Sequence, residues 1–88
     1  PSVYALSQNY PNPFNPSTMI RFSIPKGGMV SLKVFDILGR EVMTLVNEEM
    51  QASYQTVEFD ASNLTSGIYF YRLQVNDFTS VKKMILMK

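Results

Sequence analysis

Residues 64 to 75 read LTSGIYFYRLQV, and their pattern points to one kind of β structure. The spacing Leu64-x-x-Gly67-x-Tyr69 is typical of a tyrosine corner, in which the phenol hydroxyl bonds to upstream backbone where a strand begins. Side chains alternate along a strand, and the charged Arg72 fits only the outward face. The alternation therefore predicts the following inward-facing residues: Tyr69, Tyr71, Leu73 and Val75.

Similar strand patterns recur on both sides of this stretch, separated by turn residues. We expect strands near residues 3–6, 20–24, 30–34, 41–46, 53–59, 67–75 and 78–87. Residues 47–52 are polar and are compatible with a loop or one helical turn. The spacing predicts an all-β fold, an immunoglobulin-like β-sandwich of about seven antiparallel strands in two sheets.

The beginning of the chain has a different signature, NYPNPFNPSTMIRF over residues 9–22, with two Asn-Pro pairs three residues apart. Proline fixes φ and pushes the preceding residue toward extended geometry, so residues 10–16 are expected to be extended and close to polyproline II. The two prolines of these pairs would then lie on one edge and the two asparagines on another. Such a stiff segment suits a lid that locks the start of the fold, or a surface that another protein recognises.

Length and composition limit the domain organisation. The chain has 88 residues, a net charge of +1 and no cysteine. We expect a single domain, with residues 1–16 as linker and Asn-Pro lead-in and residues 17–88 as the β-sandwich body. The charge gives no reason to expect nucleic acid as a partner. The chain begins at Pro1 and ends at Lys88 directly after a strand, as expected for the C-terminal piece of a longer protein.

Residues that could support catalysis are scarce. The chain has neither histidine nor cysteine, which removes the commonest general base, the commonest thiol nucleophile and most transition-metal ligands. Glu58 and Asp60 lie two apart on one strand face, but such pairs are ordinary on strands. Asp36, Asp60 and Asp77 are too scattered for a calcium loop. We expect no enzyme activity, no cofactor and no metal.

Outward aromatic residues leave one binding function open. Tyr54, Phe70 and Phe78 could stack on sugar rings, as aromatic residues do in carbohydrate-binding modules. Residues 63–65 also match the N-glycosylation sequon, although the expected turn explains them without a glycan.

The last strand carries apolar residues on both faces, and the sequence leaves its phase open. If the odd-numbered residues face the core, Met84 and Leu86 are exposed between lysines. In the opposite phase, Val81, Ile85 and Met87 are exposed. Either arrangement needs a covering loop, such as the Asn-Pro stretch, or a partner that docks there, for example by strand addition. An exposed final strand also predicts weak self-association.

Four blocks together resemble the C-terminal sorting domain of the type IX (Por) secretion system. They are NYPNPFNPST (9–18), VSLKVFDILGREVMTLV (30–46), LTSGIYFYRLQ (64–74) and KKMILMK (82–88). The resemblance covers essentially the whole chain, in order and at the expected spacing.

The resemblance implies a role in export. Such domains end cargo proteins that cross the periplasm and then pass an outer-membrane translocon and a shuttle barrel to the cell surface or medium. In many members a sortase-type cysteine peptidase removes the domain. The resemblance therefore implies a sorting signal joined to an N-terminal cargo domain. The alternative is an immunoglobulin-like accessory or carbohydrate-binding module of a secreted hydrolase.

The family's recurrent positions correspond to a defined set of residues in this chain. They are Pro11, Asn12, Pro13, Asn15, Pro16, Thr18, Asp36, Gly39, Arg40, Gly67, Tyr69, Tyr71 and Lys83. We expect the final strand, with Lys82, Lys83, Met84 and Leu86, to form the surface that the secretion machinery recognises. The Asn-Pro block is expected to lock the start of the fold.

Overall fold

The computed structural model describes all residues from Pro1 to Lys88 and contains seven strands. They are β1 (Ala5–Leu6), β2 (Ser17–Ile24), β3 (Gly28–Phe35), β4 (Glu41–Met50), β5 (Ser53–Asp60), β6 (Gly67–Val75) and β7 (Phe78–Leu86). Every strand pairing is antiparallel. The chain forms no helix that is long and apolar enough to span a membrane. The expected all-β fold is confirmed.

The strands form two sheets that enclose one hydrophobic core. One sheet has the order β1-β2-β5, and the other has the order β4-β3-β6-β7. This arrangement agrees with the expected immunoglobulin-like β-sandwich. Because β7 ends the second sheet, one of its edges has no neighbouring strand.

The core forms because alternate residues of neighbouring strands are apolar and point to the same side of the sheet. On β3, Leu32 and Val34 lie opposite Leu73 and Tyr71 of β6, and all four are buried. The predicted inward phase of β6 is confirmed, since its inward residues are all at most 6% exposed.

Residues 47–52 differ from the expected loop or helical turn. Strand β4 continues to Met50, and its polar end pairs with β3 in the register Ser31↔Asn47 and Gly28↔Met50. The backbone ladder to β3 stabilises this extension, while the polar side chains of an edge strand remain in water. Tertiary pairing therefore overrides the weak strand propensity of these residues.

The Asn-Pro segment, defined here as residues 9–16, also differs from expectation. The polyproline II prediction is wrong, because the chain bends at residues 11–13 and 15–16. The peptide bonds preceding Pro11, Pro13 and Pro16 are cis. The bends allow isolated bridges at Tyr10 to β2 and at Phe14 to β7, which a straight segment would not make together.

The structure determines the phase of β7. Met84 and Leu86 are at most 1% exposed and point into the core, whereas Val81 is exposed on the outer face. Recognition through surface contacts with Met84 and Leu86 is therefore incompatible with the fold. The physical reason is that both side chains belong to the hydrophobic core of the sandwich.

Candidate recognition site

The free edge of β7 is divided into a closed half and an open half. The register with β6 is continuous from Leu86 to Phe78, so the backbone groups of successive residues alternate between the partner strand and the free edge. Ile85 directs its N–H and C=O to the free edge, where both bond to the Asn-Pro segment. By the same alternation, Thr79, Val81 and Lys83 direct their backbone groups there too.

The Asn-Pro segment closes the C-terminal half of this edge. The Asn12 side-chain carbonyl accepts a hydrogen bond from the Ile85 N–H at 2.9 Å. The Phe14 N–H donates to the Ile85 carbonyl at 3.0 Å, and the Met87 N–H donates to the Phe14 carbonyl at 2.9 Å. The Phe14 ring is buried against Phe59, with ring centroids 5.9 Å apart. The segment therefore acts as a short parallel cover strand anchored in the core.

The N-terminal half of the edge, residues 79–83, lies near β1 but receives no such backbone hydrogen bonds, and we call it the open edge. Its only bond to another segment is donated by Gln8 Nε2 to the Lys83 carbonyl at 2.6 Å. Val81 and Lys83 are exposed on the outer face, whereas Lys82 is half-buried on the opposite face. The two neighbouring lysines therefore do not form one cationic site.

A buried polar network fixes the start of the Asn-Pro segment. The Tyr71 hydroxyl donates to the Ser7 carbonyl at 2.7 Å and accepts from the Asn9 N–H at 2.8 Å. Asn9 Nδ2 donates to Thr18 Oγ1 at 3.1 Å, and Thr18 Oγ1 donates to the Pro11 carbonyl at 2.8 Å. These bonds join the segment to β2 and β6, so that it is positioned as part of the sandwich.

Burial changes the acidity of the central phenol in this network. Desolvation raises the pKa of Tyr71 to about 12, although the hydrogen bond from the Asn9 N–H opposes the change. Tyr71 is therefore a neutral hydrogen-bonding group across the physiological pH range.

The β3–β4 hairpin is held by one carboxylate. Asp36 Oδ1 accepts from the N–H groups of Leu38 at 2.9 Å and Arg40 at 3.0 Å, and Oδ2 accepts from Arg40 Nε at 2.8 Å. These bonds, led by the one from the Arg40 backbone, lower the pKa of Asp36. Gly39 has φ 80°, which residues with a side chain rarely adopt. Asp36, Gly39 and Arg40 thus form one compact turn.

The tyrosine corner is present at the start of β6. The Tyr69 hydroxyl donates to the Thr65 carbonyl at 2.7 Å. Gly67 precedes it with φ 154°, a conformation that favours glycine. The corner fixes the phase with which β6 enters the core.

The chain matches the model of a known protein family over most of its length. The model described as "Secretion system C-terminal sorting domain" matches residues 8–87. The chain belongs to this family of sorting domains. Membership means that it carries a sorting signal of the type IX secretion system and that its parent protein is exported to the cell surface or medium. A search among curated proteins found no significant match.

The remaining positions of the sorting domain's Asn-Pro block contribute fewer contacts to the fold. Pro13 and Asn15 are exposed, and the Pro16 carbonyl accepts a hydrogen bond from the Ala61 N–H at 2.9 Å. Sequence reasoning missed Asn9 and Phe14, which are both 2% exposed. The sequence did contain a signal for the burial of Phe14, because it is the lone apolar residue between the two Asn-Pro pairs.

The other candidate residues of the sorting domain are not brought together. Glu58 and Asp60 are exposed, and Asp60 is occupied by the N–H and hydroxyl of Ser62. Tyr54 lies on the three-stranded sheet and Phe70 on the four-stranded one, so they form no common sugar-binding platform. No three His, Cys, Asp or Glu side chains form a group that could hold a metal ion.

Proposed function

We propose that this domain is the address label that directs a cargo protein through the type IX outer-membrane translocon, and that the label is presented by β7. The observation that carries the proposal is the divided edge of this strand. The Asn-Pro segment covers residues near Ile85, while the backbone groups of Thr79 and Val81 remain available. Unpaired edge groups are the feature that strand addition uses.

The proposed route follows from this role. The domain is joined to an N-terminal cargo domain, crosses the periplasm, and passes from the translocon to a shuttle barrel at the outer membrane. A sortase-type cysteine peptidase on the cell surface then separates it from the cargo. The domain takes part as a substrate and supplies no catalytic group. The exposed Lys83 and the half-buried Lys82 belong to the open edge and provide positive charge there.

A fusion experiment tests the proposal. The domain is attached to a periplasmic reporter in a bacterium that has type IX secretion, and reporter activity is measured in cells and medium. Deleting residues 81–88 removes core side chains and unfolds the domain. Val81→Pro is a sharper variant, because its missing N–H faces the open edge and takes no part in pairing with β6.

The expected result is export of the wild-type fusion and retention of the folded Val81→Pro fusion. Val81→Ile is the matched control, since it keeps the N–H, the β-branched shape and the apolar character, and its export should equal wild type. Equal export of the proline variant would reject the open edge as the recognition surface. Retention of the wild-type fusion would reject the export function itself.

A further inference from the structure

The outer face of the four-stranded sheet carries a groove beside the β3–β4 hairpin. Its volume is about 320 Å³, and its apolar walls are Phe35, Ile37, Phe70 and Val81. Arg72 lies among these walls, opposite Val81 on β7. We call this concave surface the Arg72 groove.

The guanidinium in this groove forms no salt bridge within the chain. Arg72 Cζ lies 4.8 Å from the centre of the Phe35 ring, which is a cation–π distance. Arg72 Nε is buried and makes no hydrogen bond. Buried polar groups in native structures are nearly always bonded, so this atom calls for a specific explanation.

The nearby carboxylates are already engaged. Asp36 is occupied by its own turn and by Arg40, as described above. Glu41 accepts from the Thr44 hydroxyl at 2.9 Å and pairs with Lys33 Nζ at 3.2 Å. Neither carboxylate forms a salt bridge with Arg72, although the charge of Arg72 contributes to lowering the pKa of Glu41.

The hairpin tip extends the apolar surface around the groove. Ile37 and Leu38 are 69% and 72% exposed, and Val81 is 53% exposed. Large apolar side chains at this level of exposure, next to a partly desolvated cation, are typical of a protein-binding surface.

We propose that the Arg72 groove binds a segment of a partner protein in which an acidic side chain is flanked by apolar residues. The acidic group bonds to Arg72, and its apolar neighbours contact Phe70 and Ile37. The inference rests on the proposed export function, which it deepens by naming the chemistry of the protein that meets this face.

A carboxylate suits the groove better than a phosphate. Arg72 is the only cation among the residues that line the groove. Of the cations nearby, Lys33 and Arg40 are paired with carboxylates, and Lys83, opposite Phe70 on β7, lies outside the lining. One guanidinium matches one planar carboxylate by two parallel bonds, whereas a multiply charged phosphate among these walls would keep charge without a partner.

The first experiment is a nuclear magnetic resonance titration of the labelled domain with the capped peptide acetyl-Leu-Glu-Leu-amide. The Arg72 Nε–H and Phe70 amide signals are expected to move. The peptide acetyl-Leu-Gln-Leu-amide and the Arg72→Met variant are each expected to show affinity lower by about tenfold or more. Arg21→Met, which changes an exposed arginine on the other sheet, should bind like wild type. Equal binding of the two peptides, or tighter binding of inorganic phosphate, would overturn the inference.

The second experiment uses the reporter fusion. Arg72→Met loses the cation–π contact with Phe35 but also removes the unbonded buried nitrogen, so its melting temperature should change little. Its export should fall while that of Arg21→Met stays at the wild-type level. Full export of Arg72→Met, or a clear drop in its melting temperature, would overturn the inference and leave the export function intact. If the wild-type fusion is retained, the export function fails, and the peptide titration still decides whether the groove binds acidic segments.

Discussion

Replacing Tyr71 by phenylalanine removes one oxygen from the interior and leaves the ring in place. That oxygen donates to the Ser7 carbonyl and accepts from the Asn9 N–H, at 2.7 Å and 2.8 Å. Ser7 is exposed, so its carbonyl regains a bond from water. Asn9 is 2% exposed, so its N–H loses its partner and cannot bond to water instead.

The expected cost follows from this difference. An unsatisfied buried donor destabilises by about 1–3 kcal/mol, whereas the exposed carbonyl adds little, so we expect a loss of about 2 kcal/mol in the free energy of unfolding. For a domain of this size, that corresponds to a decrease of roughly 8–16 °C in melting temperature.

Denaturant unfolding and calorimetry measure the stability change, and hydrogen exchange at the Asn9 amide measures the local one. Tyr54→Phe is the matched control, because this phenol is 77% exposed, and its effect should be within about 0.5 kcal/mol. Tyr69→Phe removes the corner bond to the Thr65 carbonyl and should cost about 1 kcal/mol. If Tyr71→Phe costs no more than Tyr54→Phe, the network does not anchor the Asn-Pro segment.

Three further outcomes are expected. Asn12→Ala frees the Ile85 N–H, so its hydrogen exchange should accelerate and self-association by analytical ultracentrifugation should increase; an unchanged exchange rate contradicts the capping role. The Asp36 carboxyl should titrate below its usual pKa of 3.8. Its contribution to stability is therefore present above pH 3.8 and is lost as the pH falls through the lowered pKa of the folded state. A titration midpoint at or above 3.8 in the chemical shift of the Gly39 amide would refute the turn geometry. The pKa of Tyr71 is about 12 in the folded state and near 10 when unfolded, so its contribution to stability should fall between pH 10 and 12. Over that pH range Tyr71→Phe should lose less stability than the wild-type domain. Equal losses for the two proteins in denaturant titrations would contradict burial of the phenol.

Much of the fold could be predicted from local patterns in the sequence. Alternation along β6 identified its inward face because one buried side requires apolar residues at every second position. The Leu64–Tyr69 spacing identified the corner, since glycine and tyrosine there meet a local backbone requirement. Asp36 and Gly39 belong to the family's recurrent positions and meet the same kind of local requirement in the β3–β4 turn.

The candidate site depended on contacts that local patterns do not encode. The two faces of β7 are both apolar, so either phase was open, and only packing against β6 placed Met84 in the core. Strand alternation places Lys82 and Lys83 on opposite faces, and only the structure shows that Lys83 is the exposed one. The Arg72 groove combines side chains of β6 and β7 with the β3–β4 hairpin, which meet only in the folded sheet.

The sequence by itself determined that this protein is a β-sandwich with a tyrosine corner and a sorting-domain signature, because those features depend on short-range spacing and backbone conformation. Only the tertiary structure decided how the Asn-Pro segment bends and which half of β7 it covers. The bond from Asn9 to Tyr71 spans 62 residues, and the bond from Ile85 to Asn12 spans 73. Bonds between such distant residues form when the two sheets pack together, and they leave no periodic pattern along the chain.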